Sequence, residues 1–550
     1  MALYEEARRN KSKLPAYLQQ PGPTPGSFVR YERHGVFFRD GQPALYFQFS
    51  LDGDDDEDMW YIAELELDAA VYERAEEALG EAGLQQSMLG IGICAACWLL
   101  MAQPRTTLRI AAAAGSLSEE QVAFWTRTLR GTLAEFQYLN RLPFHPFVVA
   151  EAVAEPQPQP EPEPEPEPAA AAAAAEAREA RAAEMQGEAP SGPEDGVLVP
   201  LGGGKDCLTM LELLRDAGVE MATDCVLFHL ADHQTEWSDN WRLAALHRAS
   251  GVRRCICVLF TPPRQTQADM FGGAFAENDD LSLVQGTPPW AAMVWAVGAL
   301  VAAGSDCGYV AVGNERSANE GNGVDWIGEA VNHQYDKAFD WEQLAHAYTK
   351  QHISSGIYYF SGLMHWWEVQ IAQKFCQVTV TPRYLHLFLS CNCPINMKTR
   401  WCAKCSKCCF VQLLLAAWLQ PSQVCSVFGD DLFEDTALLP VYRVLLGLPD
   451  PADANGRSAI KPLECVGTVE EARQSLLLAA DRHSEDLQTG LRTDLERARQ
   501  PRNLERLLGE LTAVGVAVAP ESRARLKGAH LEDLNAENAL PAWLLPPSGK

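Results

Sequence analysis

Three stretches concentrate the residue types that do chemistry. The first is Gly202, Gly203, Gly204, Lys205, Asp206 and Cys207, which follow the apolar residues 197–199 and precede apolar residues at helical spacing. Glycines let backbone N–H groups close around a phosphate, and a helix N-terminus adds partial positive charge at the same point. The plain alternative is an ordinary glycine-rich strand-to-helix turn. The second stretch, VGNERSANEGN at 312–322, supplies Gly313, Asn314, Glu315, Ser317 and Asn319 just past an apolar run. Such a loop suits a nucleotide, its metal ion or a polar substrate, or else satisfies itself as a turn network. Shortly after it, Asn332, His333, Tyr335 and Lys337 precede a helical pattern, with His333 and Lys337 spaced to share a helical face. The alternative for His333 is a purely structural histidine.

The third stretch is SCNCPINMKTRWCAKCSKCCF. Cys402, Cys405 and Cys408 form CxxCxxC, with a fourth thiolate upstream at Cys391 or Cys393. Four close thiolates suit tetrahedral Zn²⁺, and an iron–sulfur cluster accepts the same set. Cys409 is adjacent to Cys408 and is expected to face the core of the following helix.

The elements that must position these residues are legible around them. Strands at 197–199, 225–229, 255–260 and 309–312 alternate with helices at 208–217, 237–249 and 289–303. That alternation predicts an α/β fold, a parallel sheet with helices on both faces, in which ligands gather at the carboxyl ends of the strands. Before it, FVRYERHGVFF and ALYFQFSLDG read as antiparallel strands around a turn at Asp40 and Gly41, and residues 71–102 turn helical. Ser118 and Gln121 form a capping box before a helix carrying Phe124, Leu129, Leu133 and Phe136. The aromatic group Tyr358, Tyr359, Phe360, Trp366 and Trp367, at near-helical spacing, is expected in the core rather than as a stacking platform.

The predicted organisation is a loose tail at 1–27, a small α+β domain at 28–150, and a Glu/Pro/Ala-rich disordered insertion at 151–195. A nucleotide-binding α/β domain at 196–385, a Cys-rich metal-binding helical region at 386–450 and a helical extension at 451–550 follow. The acidic run 54–58 reads as a solvated loop. The formal charge is −28, and removing 151–195, with 12 acids against Arg178 and Arg181, still leaves about −18. That balance argues against nucleic acid or an anionic membrane as partner. The apolar runs 88–102 and 288–303 are shorter than the roughly 20 residues that cross a bilayer, so both read as buried helices. No secretory or organelle signal is evident, and sixteen cysteines without a disulfide-like pattern suit reduced thiols. The expected compartment is the cytoplasm, with a plastid as the alternative.

The GGGKDC turn resembles the SGGxDS signature of N-type ATP pyrophosphatases, the PP-loop (adenine nucleotide alpha hydrolase-like) superfamily, with Gly202 and Cys207 in place of its two serines. The cysteine cluster is similar to the zinc tail of 7-cyano-7-deazaguanine synthase in that superfamily. GNERSAN, VNHQYDK, YFSGLMHWWE, SCN and WCAKCSKCCF together resemble the MurL-type UDP-N-acetyl-α-D-muramoyl-L-alanyl-L-glutamate epimerases, over about 28–150 and 196–450. The resemblance implies adenylation of a terminal L-glutamate by ATP with Mg²⁺, α-proton exchange, and hydrolysis to the D-glutamyl product of a UDP-MurNAc dipeptide. It implies phosphate binding by Gly202, Gly203, Gly204, Lys205, Asp206 and Cys207, with Asp206 capping the helix or reaching Mg²⁺. Gly313, Asn314, Glu315, Ser317 and Asn319 line the same cleft, and Lys205, Asp206, His333 and Lys337 are the catalytic candidates. It selects Cys391 as the fourth ligand of a structural Zn²⁺. Rival readings are an adenylating ligase or amidotransferase and a nucleotide-binding protein without activity.

Overall fold

Alternation of apolar and polar residues builds the first half of the sheet. β1 (Phe28–Arg39) and β2 (Gln42–Leu51) pair antiparallel around Asp40 and Gly41, both at positive φ, 53° and 81°, as a tight two-residue hairpin requires. β3 (Tyr61–Glu66) adds to β2 and turns Tyr61, Ala63 and Leu65 inward. The computed structural model describes residues 26–52, 60–151, 180–183, 185–186, 189, 192–231, 240–265, 286–377, 380–391, 401–448, 461–488, 502–513 and 538–544. The expected N-terminal tail, the acidic run 54–58, nearly all of the Glu/Pro/Ala segment, Trp237 and Cys393 lie outside the described residues.

α1 (Ala69–Ala102) is capped by Asp68 and kinks at Gly80. An 18-residue window of it is apolar enough to cross a membrane, yet 89% of that window is buried within the fold. It packs on β1, β2 and the apolar helix 290–303. β4 (Thr107–Ile110) lies parallel to β1, and α2 (Glu119–Asn140) starts at the expected Ser118/Gln121 capping box, with hydrogen bonds of 3.2 and 2.9 Å. β5 (Phe147–Ala150) closes this edge.

The second half alternates as the sequence predicts. β6 (Val197–Pro200), α3 (Lys205–Asp216), β7 (Cys225–Ala231), α4 (Trp241–Ser250), β8 (Arg254–Gln265), α5 (Trp290–Ala303) and β9 (Tyr309–Val312) follow in order. A small hairpin, β10 (Asp325–Trp326) and β11 (Glu329–Ala330), precedes α6 (Phe339–Tyr348), β12 (Tyr358–Ser361) and α7 (Glu368–Phe375). The aromatic run 358–360 is therefore an edge strand and not a helix. Its side chains are buried, while Trp366 and Trp367 are only partly covered. Two β-branch-free aromatic neighbours alternate across a sheet as readily as they line a helix, and only pairing with β9 decides it.

Ten strands form one sheet in the order β12-β9-β6-β7-β8-β3-β2-β1-β4-β5, parallel except where β3 meets β8 and within β1 to β3. Alternate residues feed two cores. Leu198, Phe228, Val258 and Val310 join α1 and α5 on one face, whereas Val197, Val199, Leu227 and Tyr309 face the other. That second core continues into α8 (Ser406–Ala416), α9 (Pro421–Phe428), α10 (Leu439–Leu445), α11 (Val469–Gln488) and α12 (Arg502–Ala513).

Glu342 of α6 locks the end of β12: its Oε1 accepts the Ser361 N–H at 3.0 Å, while Oε2 is buried with no partner among the described residues. Burial pushes its carboxyl up to about 8. From about pH 5 to 8 the folded chain therefore keeps a proton that the unfolded chain releases, and stability falls as pH rises, by up to about 1.4 kcal/mol per unit. Glu342→Gln is expected to flatten that slope in urea unfolding at pH 6 and 8; parallel slopes would refute the assignment.

Candidate active site

β6 and β9 are neighbours in the sheet but not in the chain, so helices depart to opposite faces and leave a crevice at their carboxyl ends. Both polar motifs fall there. Gly203, at φ 79°, carries the chain from β6 into α3, and Gly204 caps α3 without any side-chain cap. The first N–H groups of α3 thus lack intrahelical partners and point at the crevice mouth. The outer wall is built: Leu389 N–H and Arg242 Nη1 hold the Gly203 carbonyl at 2.8 and 3.4 Å, and a Cβ on Gly204 would lie 2.8 Å from Ser390 Oγ. Gly202 is exposed, with nothing within 4 Å of where a Cβ would be. Across the crevice Gly313 packs on the first turn of α3, where its missing Cβ would sit 3.1 Å from the Asp206 carbonyl carbon. A left-handed glycine, free amides and an open face fit a phosphate group.

Below this cradle lies a buried charge cluster. Lys205 Nζ, fully buried, donates to Glu368 and to Asp206 Oδ1, the latter at 2.5 Å. Burial works against its charge, but Asp206 and Glu368 hold it protonated. Lys407 Nζ stands 3.9 Å from Glu368 Oε1 and donates to the Cys465 carbonyl. Glu368 N–H donates to Glu471 Oε1 at 2.6 Å, and Glu471 forms a capping box with Thr468 at the start of α11. Burial and Glu368 push the Glu471 carboxyl up to about 7. Burial also opposes ionisation of Glu315, but Lys337, Lys407, Lys205 and the 2.6 Å bond from Gln334 hold it down at about 2. Lys461 Nζ donates to the Ser317 and Glu320 carbonyls at 2.9 and 3.1 Å.

The sequence-predicted residues are thus gathered, with different partners from those expected. Lys205 is engaged by two carboxylates beneath the cradle. Cys207 donates its thiol to the Gly204 carbonyl at 3.2 Å, and burial lifts it to about 11. Ser317 Oγ is buried without a partner among the described residues, and the buried Asn314 side chain meets Tyr359. Asn319 instead braces α6, accepting the Phe339 N–H at 2.7 Å. His333 and Lys337 share no helical face, because residues 335–337 form a short 3-10 turn. His333 Nδ1 lies 2.6 Å from Glu135 Oε2 and Nε2 lies 3.2 Å from Cys465 Sγ. Burial opposes its charge, yet Glu135 and Cys465 raise its pKa well above the usual range.

Sequence reasoning missed Glu135, Glu368, Lys407, Lys461, Cys465 and Glu471. One signal was available: TVEE at 468–471 has capping-box spacing, which places the preceding Cys465 at a helix mouth.

Cys391, Cys402, Cys405 and Cys408 present sulfurs all within 4.8 Å of one another. Cys408 Sγ lies 3.7 Å from Cys402 and 3.5 Å from Cys405. A tetrahedron of ~2.3 Å metal–sulfur bonds has edges of about 3.8 Å, so the set fits one metal ion. Backbone N–H groups of Cys402, Cys405 and Cys408 each reach a ligand sulfur at 3.4 Å, as thiolates require. Cys409 faces the core, as expected.

The Lys205–Glu368 pair is fully buried, so removing one partner strands the other. Lys205→Met is expected to destabilise the fold by about 3–5 kcal/mol. Adding Glu368→Gln should recover part of that loss in urea unfolding; strictly additive losses would refute the coupling.

Two family descriptions match the chain. The MurL N-terminal domain covers residues 27–236 and 274–362, and the MurL C-terminal domain covers 387–505. Relatives named UDP-N-acetyl-alpha-D-muramoyl-L-alanyl-L-glutamate epimerase share 33% identity over 293 residues (a Micromonospora species), 31% over 307 (Xanthomonas oryzae pv. oryzae) and 32% over 297 (Salinispora tropica). These matches span 52%, 55% and 52% of this chain and 57%, 60% and 55% of the respective relatives, so the chain covers less than two thirds of each. No solved structure matches it. With both MurL domain descriptions covering most of its length, the chain belongs to the MurL family.

Proposed function

We propose that this protein epimerises the terminal L-glutamate of UDP-N-acetyl-α-D-muramoyl-L-alanyl-L-glutamate to D-glutamate, splitting ATP to AMP and PPi, as a step of peptidoglycan synthesis. The observation that carries the reading is the uncapped glycine cradle at the β6/β9 crevice, in a chain whose relatives bear that epimerase name. An ionised α-carboxylate resists loss of the neighbouring α-proton, because carbanion charge would build on existing charge. Adenylation removes that charge and acidifies the α-proton, and hydrolysis of the mixed anhydride afterwards restores the acid.

In this reading residues 196–385 form a PP-loop ATP site and 386–450 its metal-bound brace. Gly202, Gly203 and Gly204 and the amides of Asp206 and Cys207 hold the phosphates, and Gly313 sets their distance from the second wall. Lys205 acts through Asp206 and Glu368, fixing the charge at the root of α3. Asn314, Glu315 and Ser317 face the same crevice, and Lys337 keeps its proton there, since Cys465 and Glu315 outweigh burial. Asp206 would hold Mg²⁺, which would supply positive charge toward the departing PPi. The four cysteines suit structural Zn²⁺, which fastens a segment with little core of its own.

Incubation with ATP, Mg²⁺ and the UDP-dipeptide should yield PPi and the D-Glu isomer, read by chiral analysis after hydrolysis. Amidated product, or PPi release that ignores the dipeptide, would refute epimerisation. Metal analysis of the purified chain is expected to find zinc, lost in Cys408→Ser; iron with visible absorbance would identify an iron–sulfur cluster instead.

A further inference from the structure

We propose that Cys465 is the catalytic residue that takes the glutamyl α-proton, with His333 and Glu135 as positioning residues that hold its sulfur as a thiolate. This rests on the epimerase reading above and names the base within it. Glu135 comes from α2, His333 from the loop after β11, and Cys465 from the segment entering α11. A carboxylate only accepts, so Nδ1 of His333 donates to Glu135 at 2.6 Å, which turns Nε2 to the sulfur at 3.2 Å. Both imidazole nitrogens are therefore occupied, and the His333 and Glu135 side chains are only 7% and 6% exposed. Cys465, like His333, is partly exposed as a residue, and of the two its sulfur is the group not already tied at both ends.

The surroundings of the sulfur are those of a reactive thiolate. His333 and Lys337 face it from the loop before α6, Lys407 from α8, and Lys461 from its own segment, which also carries Glu464; Glu471 of α11 follows. Burial pushes the thiol up, but Lys337, His333 and Lys407 bring it down to about 7. The core cysteines Cys225 and Cys376 show the contrast, since burial drives both upward. Lys407 also ties Cys465 to the cradle: its ammonium donates to the Cys465 carbonyl and faces Glu368, the partner of Lys205. Lys337 is near enough to Cys465, Glu315 and Asp206 for each to favour its charge.

The proton transfers balance without a redox partner. The Cys465 thiolate takes the α-proton and becomes a thiol, and the C–H electron pair stays on the α-carbon, delocalised onto the activated acyl carbonyl. A proton returns to the opposite face from the Lys337 ammonium, leaving an amine. The thiol then releases its proton to solvent, and the amine regains one.

Two measurements on the full chain test this. Alkylation of Cys465 by iodoacetamide, followed by peptide mass spectrometry across pH, should show a midpoint of about 7. His333→Gln should raise that midpoint by about one unit or more, and Glu135→Gln should move it the same way. A wild-type midpoint at an ordinary thiol value, or no movement in His333→Gln, would overturn the proposal. In D₂O, deuterium incorporated at the α-carbon per PPi released should fall about 100-fold or more in Cys465→Ser, and likewise in alkylated wild-type enzyme, which is already folded. PPi release with an unchanged exchange ratio overturns the role of Cys465 alone. Absence of dipeptide-dependent PPi release from the wild type overturns the epimerase reading and this proposal together.

Discussion

The structure depends on keeping a lysine charged where no water reaches it. Lys205 and Glu368 are both fully buried, and an isolated charge there would cost several kcal/mol. Every nearby element is arranged around that constraint. Asp206 shares the ammonium from the same helical turn, and α7 begins at Glu368. Glu471 receives the Glu368 amide, and Lys407 approaches Glu368 from the far side. Cradle, four-cysteine segment and C-terminal helices are thereby linked through one set of charges. The glycine turn itself stays uncapped and outward-facing because its charged supports lie beneath it.

The same economy of position explains why the N-terminal strands are joined to the parallel half of the sheet. β3 pairs with β8, and α1 lies against α5, so the two halves share a core on one face of the sheet. α2 is thereby carried to the crevice region, where Glu135 meets His333. The cysteine cluster has a comparable reach. Leu389 and Ser390, just before Cys391, form the outer wall of the Gly203–Gly204 turn. A metal that fixes Cys391 therefore also steadies the cradle.

Much of this was legible in the sequence wherever the cause was local. Strand and helix alternation, the Asp40–Gly41 turn, the Ser118/Gln121 box and the spacing of Cys402, Cys405 and Cys408 are short-range patterns, and the structure has them at those positions. β12 was not legible, since Tyr358, Tyr359 and Phe360 carry no period that separates strand from helix. Nor was the true neighbourhood of His333. Its partners lie 198 and 132 residues away, and nothing near it in the chain announces them. Lys205 was identifiable as important, but its direction was not, because only packing against α7 turns the ammonium inward.

The Glu135, His333 and Cys465 contact has a consequence for how the protein comes into being. Its three members enter the chain in that order, with the sulfur arriving last. On the ribosome, the sheet, the glycine cradle and the Glu135–His333 pair can all emerge before residue 465 is made. A chain ended before residue 465 would lack both the sulfur and Glu471, whose carboxylate receives the Glu368 amide. Assembly of the constellation thus waits on a segment made late in translation, after every strand of the sheet.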